Sequence, residues 1–74
     1  MRSIPNRPKI ALKVRLDRDA AQHNGYGYDD FAGFVRVYRN KNMSPNKAVL
    51  ALFMNSSRDS IYNWLQELDE TSAL

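Results

Sequence analysis

Apolar and polar residues alternate along the first part of the chain. The apolar residues occupy every second position: Ile10, Leu12, Val14 and Leu16. A repeat of two residues is typical of a β-strand with one exposed face, so it predicts a strand over residues 9–16. A strand needs a hydrogen-bonding partner, which is either the segment 33–39 or the same strand in a second copy of the protein.

From residue 29 onward the apolar positions follow helical spacing. They predict helices over residues 29–41, 45–54 and 58–68. The second begins with Ser44 as its cap and Pro45 at its first position, and Ser57 caps the third. The predicted fold is therefore mainly α, a three-helix core preceded by one β-strand.

The remaining segments complete a single predicted domain over residues 1–74. Residues 1–8 contain two prolines and form a basic flexible arm. A turn falls near residues 24–27, where Asn24, Gly25 and Gly27 interrupt the pattern, and we expect His23 to be a turn residue. Residues 69–74 form an acidic tail, which we expect to fray.

Composition excludes several functional classes. The chain has no Cys and one His, which argues against a disulfide scaffold, a thiolate zinc site and a histidine cluster. No apolar run approaches the roughly 18 residues that span a bilayer, and no apolar segment follows the basic N-terminus as in a signal peptide. We therefore expect a cytoplasmic binding protein that is not an enzyme, needs no metal or cofactor and has no membrane partner.

Charge is distributed unevenly along the sequence. The net charge is +3, but residues 1–47 carry +6 and residues 48–74 carry −3. The pattern indicates a basic surface for a polyanion and an acidic side that faces away from it.

Residues 47–66, KAVLALFMNSSRDSIYNWLQ, resemble the helix-turn-helix family of DNA-binding proteins. The matching positions are a bulky and a small residue in the first helix, a core methionine, a left-handed turn residue, a cap and two inward residues: Leu50, Ala51, Met54, Asn55, Ser57, Ile61 and Trp64. Residues 37–49 also resemble the join between helices in small resolvase- and transposase-like members. The resemblance covers about residues 29–68, and Ser56 departs from it because that turn position is usually apolar.

The resemblance implies that the third helix enters the major groove of double-stranded DNA. The helical period of this segment places five residues on the side that faces away from the core, where they would contact the DNA bases. We call them the base readers: Arg58, Asp59, Tyr62, Asn63 and Gln66. Arginine can bind guanine, the two amides can pair with adenine, and aspartate can accept from cytosine. Phosphate contacts are expected from helix starts and nearby cations: Arg36, Arg39, Lys41, Ser44, Asn46, Lys47 and Ser57. Arg2 and Arg7 in the arm can reach an adjacent minor groove.

These features favour a small transcriptional regulator, a phage- or plasmid-type repressor that acts as a homodimer. The dimer would pair strand 9–16 across its two-fold axis, through Ile10, Leu12, Val14 and Leu16. One alternative is a protein-binding inhibitor or adaptor that uses the same helical pair. A second is a ribbon-helix-helix-like repressor, in which Lys13 and Arg15 on the strand would read bases.

Overall fold

The computed structural model describes residues 11–73, and this part of the chain contains helices and turns but no strand. Helix α1 spans Leu12–Arg18 and is followed by a 3₁₀ turn at Ala20–His23. Helix α2 spans Tyr28–Asn40, α3 spans Lys47–Met54 and α4 spans Arg58–Ala73. Helix α3 packs along α4, while α1 packs on both α2 and α4.

The predicted strand over residues 9–16 is wrong, because the described part of this segment enters a helix. Leu12 and Leu16 are one helical turn apart, and both are buried, whereas Val14 between them is 53% exposed. Residues that alternate every two positions also include pairs that are four residues apart, which is the spacing of one helical turn. The pattern therefore fits a strand and a helix equally, and the burial of Leu12 and Leu16 on one side shows that the segment is a helix. Strand pairing, within the chain or across a dimer, therefore fails for residues 11–16, while Ile10 lies outside the described residues.

The three predicted core helices occur with shifted ends. Helix α2 begins and ends one residue earlier than predicted, and α4 continues to residue 73 instead of ending at 68. Helix α3 begins at residue 47 because Asn46, rather than Ser44, caps it. The Asn46 Oδ1 accepts a hydrogen bond from the Val49 amide at 3.1 Å, which satisfies one of the amides that a helix start leaves unpaired.

The hydrophobic core takes residues from all four helices. The buried members are Leu12, Leu16, Phe31, Val35, Leu50, Met54, Ile61 and Leu68. Trp64 is half-buried beside them, and its ring meets Phe31 edge-on with 5.6 Å between the ring centroids. The apolar pattern of residues 29–68 predicts a core made by three helices. The structure shows that α1 contributes to this core as a fourth helix.

A carboxylate joins the end of α1 to the start of α2. The Asp17 Oδ1 accepts a hydrogen bond from the Tyr28 amide at 2.9 Å, and its Oδ2 pairs with Lys13 at 3.2 Å. Gly27 fits here because a Cβ at this position would lie 2.5 Å from the Asp17 Oδ1. The hydrogen bond from Tyr28, followed by the one from Lys13, lowers the pKa of Asp17 below its ordinary value.

The lowered pKa of Asp17 predicts a dependence of stability on acid pH. Because the folded pKa is below the unfolded one, the contribution is fully present above the unfolded pKa and is lost as pH falls through the folded pKa. Asp17→Asn should therefore lower the free energy of unfolding at neutral pH, with a smaller difference from wild type at acid pH. Urea unfolding at both pH values measures this, and a difference that stays constant would contradict it.

Candidate nucleic-acid interface

Three residues join α3 to α4 in a tight turn. Asn55 adopts the left-handed conformation, with φ of 51° and ψ of 51°, as the sequence predicts. The Ser56 amide donates to the Ala51 carbonyl at 3.0 Å, and the Ser57 Oγ accepts from the Ser60 amide at 3.1 Å. The predicted cap at Ser57 is thereby confirmed. The two helices close on a fully buried set of side chains, Leu50, Met54 and Ile61.

Ser56, which departs from the usual apolar residue of such turns, has a polar environment. The His23 Nδ1 lies 2.8 Å from the Met54 carbonyl oxygen and 3.1 Å from the Ser56 Oγ. A carbonyl can only accept, so the Nδ1 carries the hydrogen and donates it. The Ser56 hydroxyl donates to the same carbonyl at 3.3 Å. In this protein, hydrogen bonds to Ser56 and His23 stabilise the turn, whereas an apolar side chain usually does so in turns of this kind.

The chain around the 3₁₀ turn supplies three further contacts to α3 and α4. The Asn24 Nδ2 donates to the Phe53 carbonyl at 2.9 Å, and the Asn55 Nδ2 donates to the Gln22 carbonyl at 3.2 Å. The His23 ring meets Trp64 edge-on, with the centroids 5.1 Å apart. We call His23, Asn24, Asn55 and Ser56 the turn clamp. His23, Asn24 and Ser56 satisfy carbonyls that the end of α3 leaves unpaired, and Asn55 ties the turn back to the 3₁₀ segment.

The sequence places His23 correctly in a turn but gives no sign of its role in the turn clamp. Its hydrogen-bond partner, the Met54 carbonyl, is 31 residues away along the chain. Sequence patterns relate residues that are only a few positions apart, so they cannot pair His23 with Met54. The acceptor is also a backbone carbonyl, which every residue has, so the type of residue at position 54 gives no indication of the bond. Only the packing of the 3₁₀ turn against α3 identifies this histidine as a structural residue.

The five predicted base readers share the outer surface of α4, and the structure leaves every one of them exposed: Arg58, Asp59, Tyr62, Asn63 and Gln66. Four of them lie in the first half of the helix, next to the turn, and Gln66 is the ninth of its sixteen residues. Neither Arg58 nor Asp59 forms an ion pair within the described residues. Their side chains are therefore available to an external molecule.

The predicted phosphate contacts are less well grouped. Asn46 and Ser57 already use their side chains as helix caps, and Ser44, Lys47, Arg36 and Lys41 are exposed. Arg39 forms an ion pair with Asp69, eleven residues beyond Arg58 and so about 16 Å along α4. Arg39 therefore lies far from Arg58 and the turn, although its partner Asp69 is only three residues, or about one helical turn, from Gln66. Arg2 and Arg7 lie outside the described residues.

The fold joins the basic and acidic parts of the sequence at two points, contrary to the expectation that they face apart. Four of the eight Lys and Arg residues in the described chain form ion pairs, Lys13, Arg15, Arg18 and Arg39, and the pairs of Arg15 with Glu67 and of Arg39 with Asp69 connect the two parts. Arg15 pairs with Glu67 through two hydrogen bonds, at 2.7 and 3.0 Å. The α-helical position of Lys13 and Arg15 also removes the basis of the ribbon-helix-helix alternative.

Within the described residues, no group of three or more His, Asp or Glu side chains is placed to hold a metal ion. None of the helices there is long and apolar enough to cross a membrane. Comparison with known proteins gives no match to a protein-family model, a curated protein or a solved structure. The function therefore has to be inferred from the surface of α4 and the elements that support it.

Proposed function

We propose that this protein binds double-stranded DNA in a sequence-specific manner, with α3 and α4 acting as a helix-turn-helix and α4 entering the major groove. The observation that carries the proposal is the outer face of α4 beside the turn. It exposes an arginine and two amides, Arg58, Asn63 and Gln66, on a helix whose start is capped by Ser57 and follows the turn that the turn clamp holds. Rigid presentation of such side chains is what base recognition requires.

Each exposed side chain has a defined role in this proposal. Arg58 donates two hydrogen bonds to the O6 and N7 of guanine, while Asn63 and Gln66 each pair with the edge of an adenine. Asp59 accepts from the amino group of cytosine or orients Arg58. Tyr62, which is 52% exposed, packs on a thymine methyl or donates to a phosphate.

The affinity of one copy is limited by its few available cations. Arg36, Lys41, Lys47 and Arg58 are the Lys and Arg residues without an ion pair in the part of the chain that the structure describes. If three of them contact phosphate, the logarithm of the affinity falls with the logarithm of salt concentration by a slope of roughly 3. Two copies bound to adjacent half-sites would double this contribution.

A small regulator that represses by occupying an operator suits this architecture. Binding alone can exclude a polymerase from DNA. The assignment to a cytoplasmic, phage- or plasmid-type repressor rests on this functional analogy.

Replacement of Arg58 by alanine tests the proposal. Duplexes selected from a random pool for binding to the wild-type chain provide the probe, and fluorescence anisotropy gives the dissociation constant. The loss of a guanine contact should raise that constant by about 10- to 100-fold, with weaker discrimination at one base pair. Asn63→Ala should act similarly at an adenine.

Arg18→Ala is the matched control for charge. Arg18 is exposed on α1 and pairs with its neighbour Asp19 at 3.1 Å, so its removal should leave the affinity within about twofold. If Arg58→Ala and Arg18→Ala weaken binding equally, recognition by α4 is wrong. If no duplex is retained even at low salt, the proposal as a whole is wrong.

A protein-binding inhibitor or adaptor is the second candidate, because large apolar side chains beside the turn are exposed. Leu52 is 79% and Phe53 is 42% exposed, and exposed apolar groups of this kind are typical of protein interfaces. Leu52→Lys would abolish binding to a protein partner while leaving the α4 base readers intact.

A further inference from the structure

One flank of α2 forms a seam of two apolar residues between two charged ones, and the described chain leaves it partly uncovered. It consists of Asp30, Phe34 and Val37 in the helix and Lys41 at its C-cap, with spacings of four, three and four residues. This is the spacing at which one helix presents a continuous seam to another. Val37 is 54% exposed, and Phe34 is stacked on the partly exposed Phe53 with 4.8 Å between ring centroids.

The two ends of this α2 seam carry opposite charges. Asp30 is the first residue of the seam, and Lys41 is the last, at the C-cap of α2, eleven residues or about 16 Å further along the helix axis. Asp30 accepts a hydrogen bond from the Gly27 amide, yet neither it nor Lys41 has an ion pair within the described residues. A seam with an acid at one end and a base at the other is complementary to a reversed copy of itself.

We propose that the α2 seam is a homodimer interface, occupied by the α2 seam of a second copy in antiparallel orientation. In this register Asp30 of each copy faces Lys41 of the other, and Phe34 of each faces Val37 of the other. Every contact occurs twice, as two-fold symmetry requires. Charge complementarity at both ends favours a second copy over an unrelated protein as the occupant.

Gly33 gives independent support for a close helix contact. It lies in the interior of α2, where glycine is disfavoured because it loses more backbone freedom than other residues. A Cβ at this position would meet nothing within 4 Å, so the single chain gives no steric reason for a glycine. Next to the α2 seam, the missing side chain lets a second helix approach closely.

The proposal replaces the strand-mediated dimer and does not depend on DNA binding, since self-association is measured on the chain alone. Sedimentation velocity of the full chain should show a monomer–dimer equilibrium. Val37→Glu should weaken dimerisation by about tenfold or more, because it places two carboxylates in the apolar centre of the seam. Gly33→Leu should do the same while favouring helix formation in the single chain.

Val14→Glu is the matched control, since Val14 on α1 is exposed to nearly the same extent as Val37. It should leave the dimer unchanged, and circular dichroism should show native helix content for all three variants. A wild-type chain that stays monomeric at its highest soluble concentration would overturn the proposal. Equal dissociation of Val14→Glu and Val37→Glu would overturn the assignment to this seam.

Charge reversal tests the antiparallel register. Lys41→Glu leaves two acids on each seam and Asp30→Lys leaves two bases, so each variant alone should dimerise less than wild type. Mixed together, they place opposite charges at both ends and should form a heterodimer, seen as an increase in sedimentation coefficient. A mixture that associates no better than its components excludes this register.

Discussion

Leu50→Ala is expected to unfold a large fraction of the molecules, whereas Leu52→Ala, two residues away on the same helix, should be nearly neutral. Leu50 is 0% exposed and Leu52 is 79% exposed. Removal of a fully buried leucine side chain costs roughly 2–5 kcal/mol, through lost burial and the cavity that remains. A core of this size supplies only about 3–5 kcal/mol of net stability, so the loss is comparable to the whole.

Urea unfolding followed by circular dichroism measures both variants. The pair is well matched, because the same change of side chain in the same helix alters helix propensity equally. The difference between the two free energies of unfolding therefore reports burial alone. Equal effects would mean that α3 presents a different face to the core from the one described above.

His23→Ala should produce the second large loss of stability, about 1–3 kcal/mol. The substitution removes the hydrogen bond to the Met54 carbonyl, which contributes about 0.5–1.5 kcal/mol, and leaves that acceptor only the longer bond from the Ser56 hydroxyl. It also removes the edge-on contact with Trp64, which contributes a further 0.5–1.5 kcal/mol or so. Thermal unfolding at neutral pH is the appropriate measurement.

His23→Asn separates the two contributions to this loss. The asparagine Nδ2 can occupy roughly the position of the histidine Nδ1 and donate to the Met54 carbonyl, but it has no ring to contact Trp64. It should recover part of the stability that His23→Ala loses. If His23→Ala unfolds at the wild-type temperature, the turn clamp does not hold α3 and α4 together.

Local patterns predicted α2, α3, α4 and the turn between the last two. Helical spacing of apolar residues, a serine cap and an asparagine in the left-handed region are decided within a few residues of the chain. The same spacing identified the outward side of α4, because a helix that buries Ile61 and Leu68 necessarily exposes Asn63 and Gln66. Most of the candidate site was therefore predictable once a helix was assumed.

Helix α1 was not predictable in the same way. Residues 12–16 satisfy both the two-residue and the four-residue spacing, so local pattern alone does not choose between strand and helix. The ion pair between Arg15 and Glu67, 52 residues apart, helps to place this segment against α4. The partner that settles the choice is thus remote in the sequence.

The sequence by itself determined three features. These are the left-handed turn at Asn55, which ends α3, the cap that Ser57 provides at the start of α4, and the polar outer face of α4. These depend on backbone geometry and on hydrogen bonds between near neighbours. Only the tertiary structure decided that α1 is a helix, that His23 secures the turn and that Arg39 is held by Asp69. Those features require contacts across about 30 to 50 residues of chain, and such contacts exist only after the helices have packed.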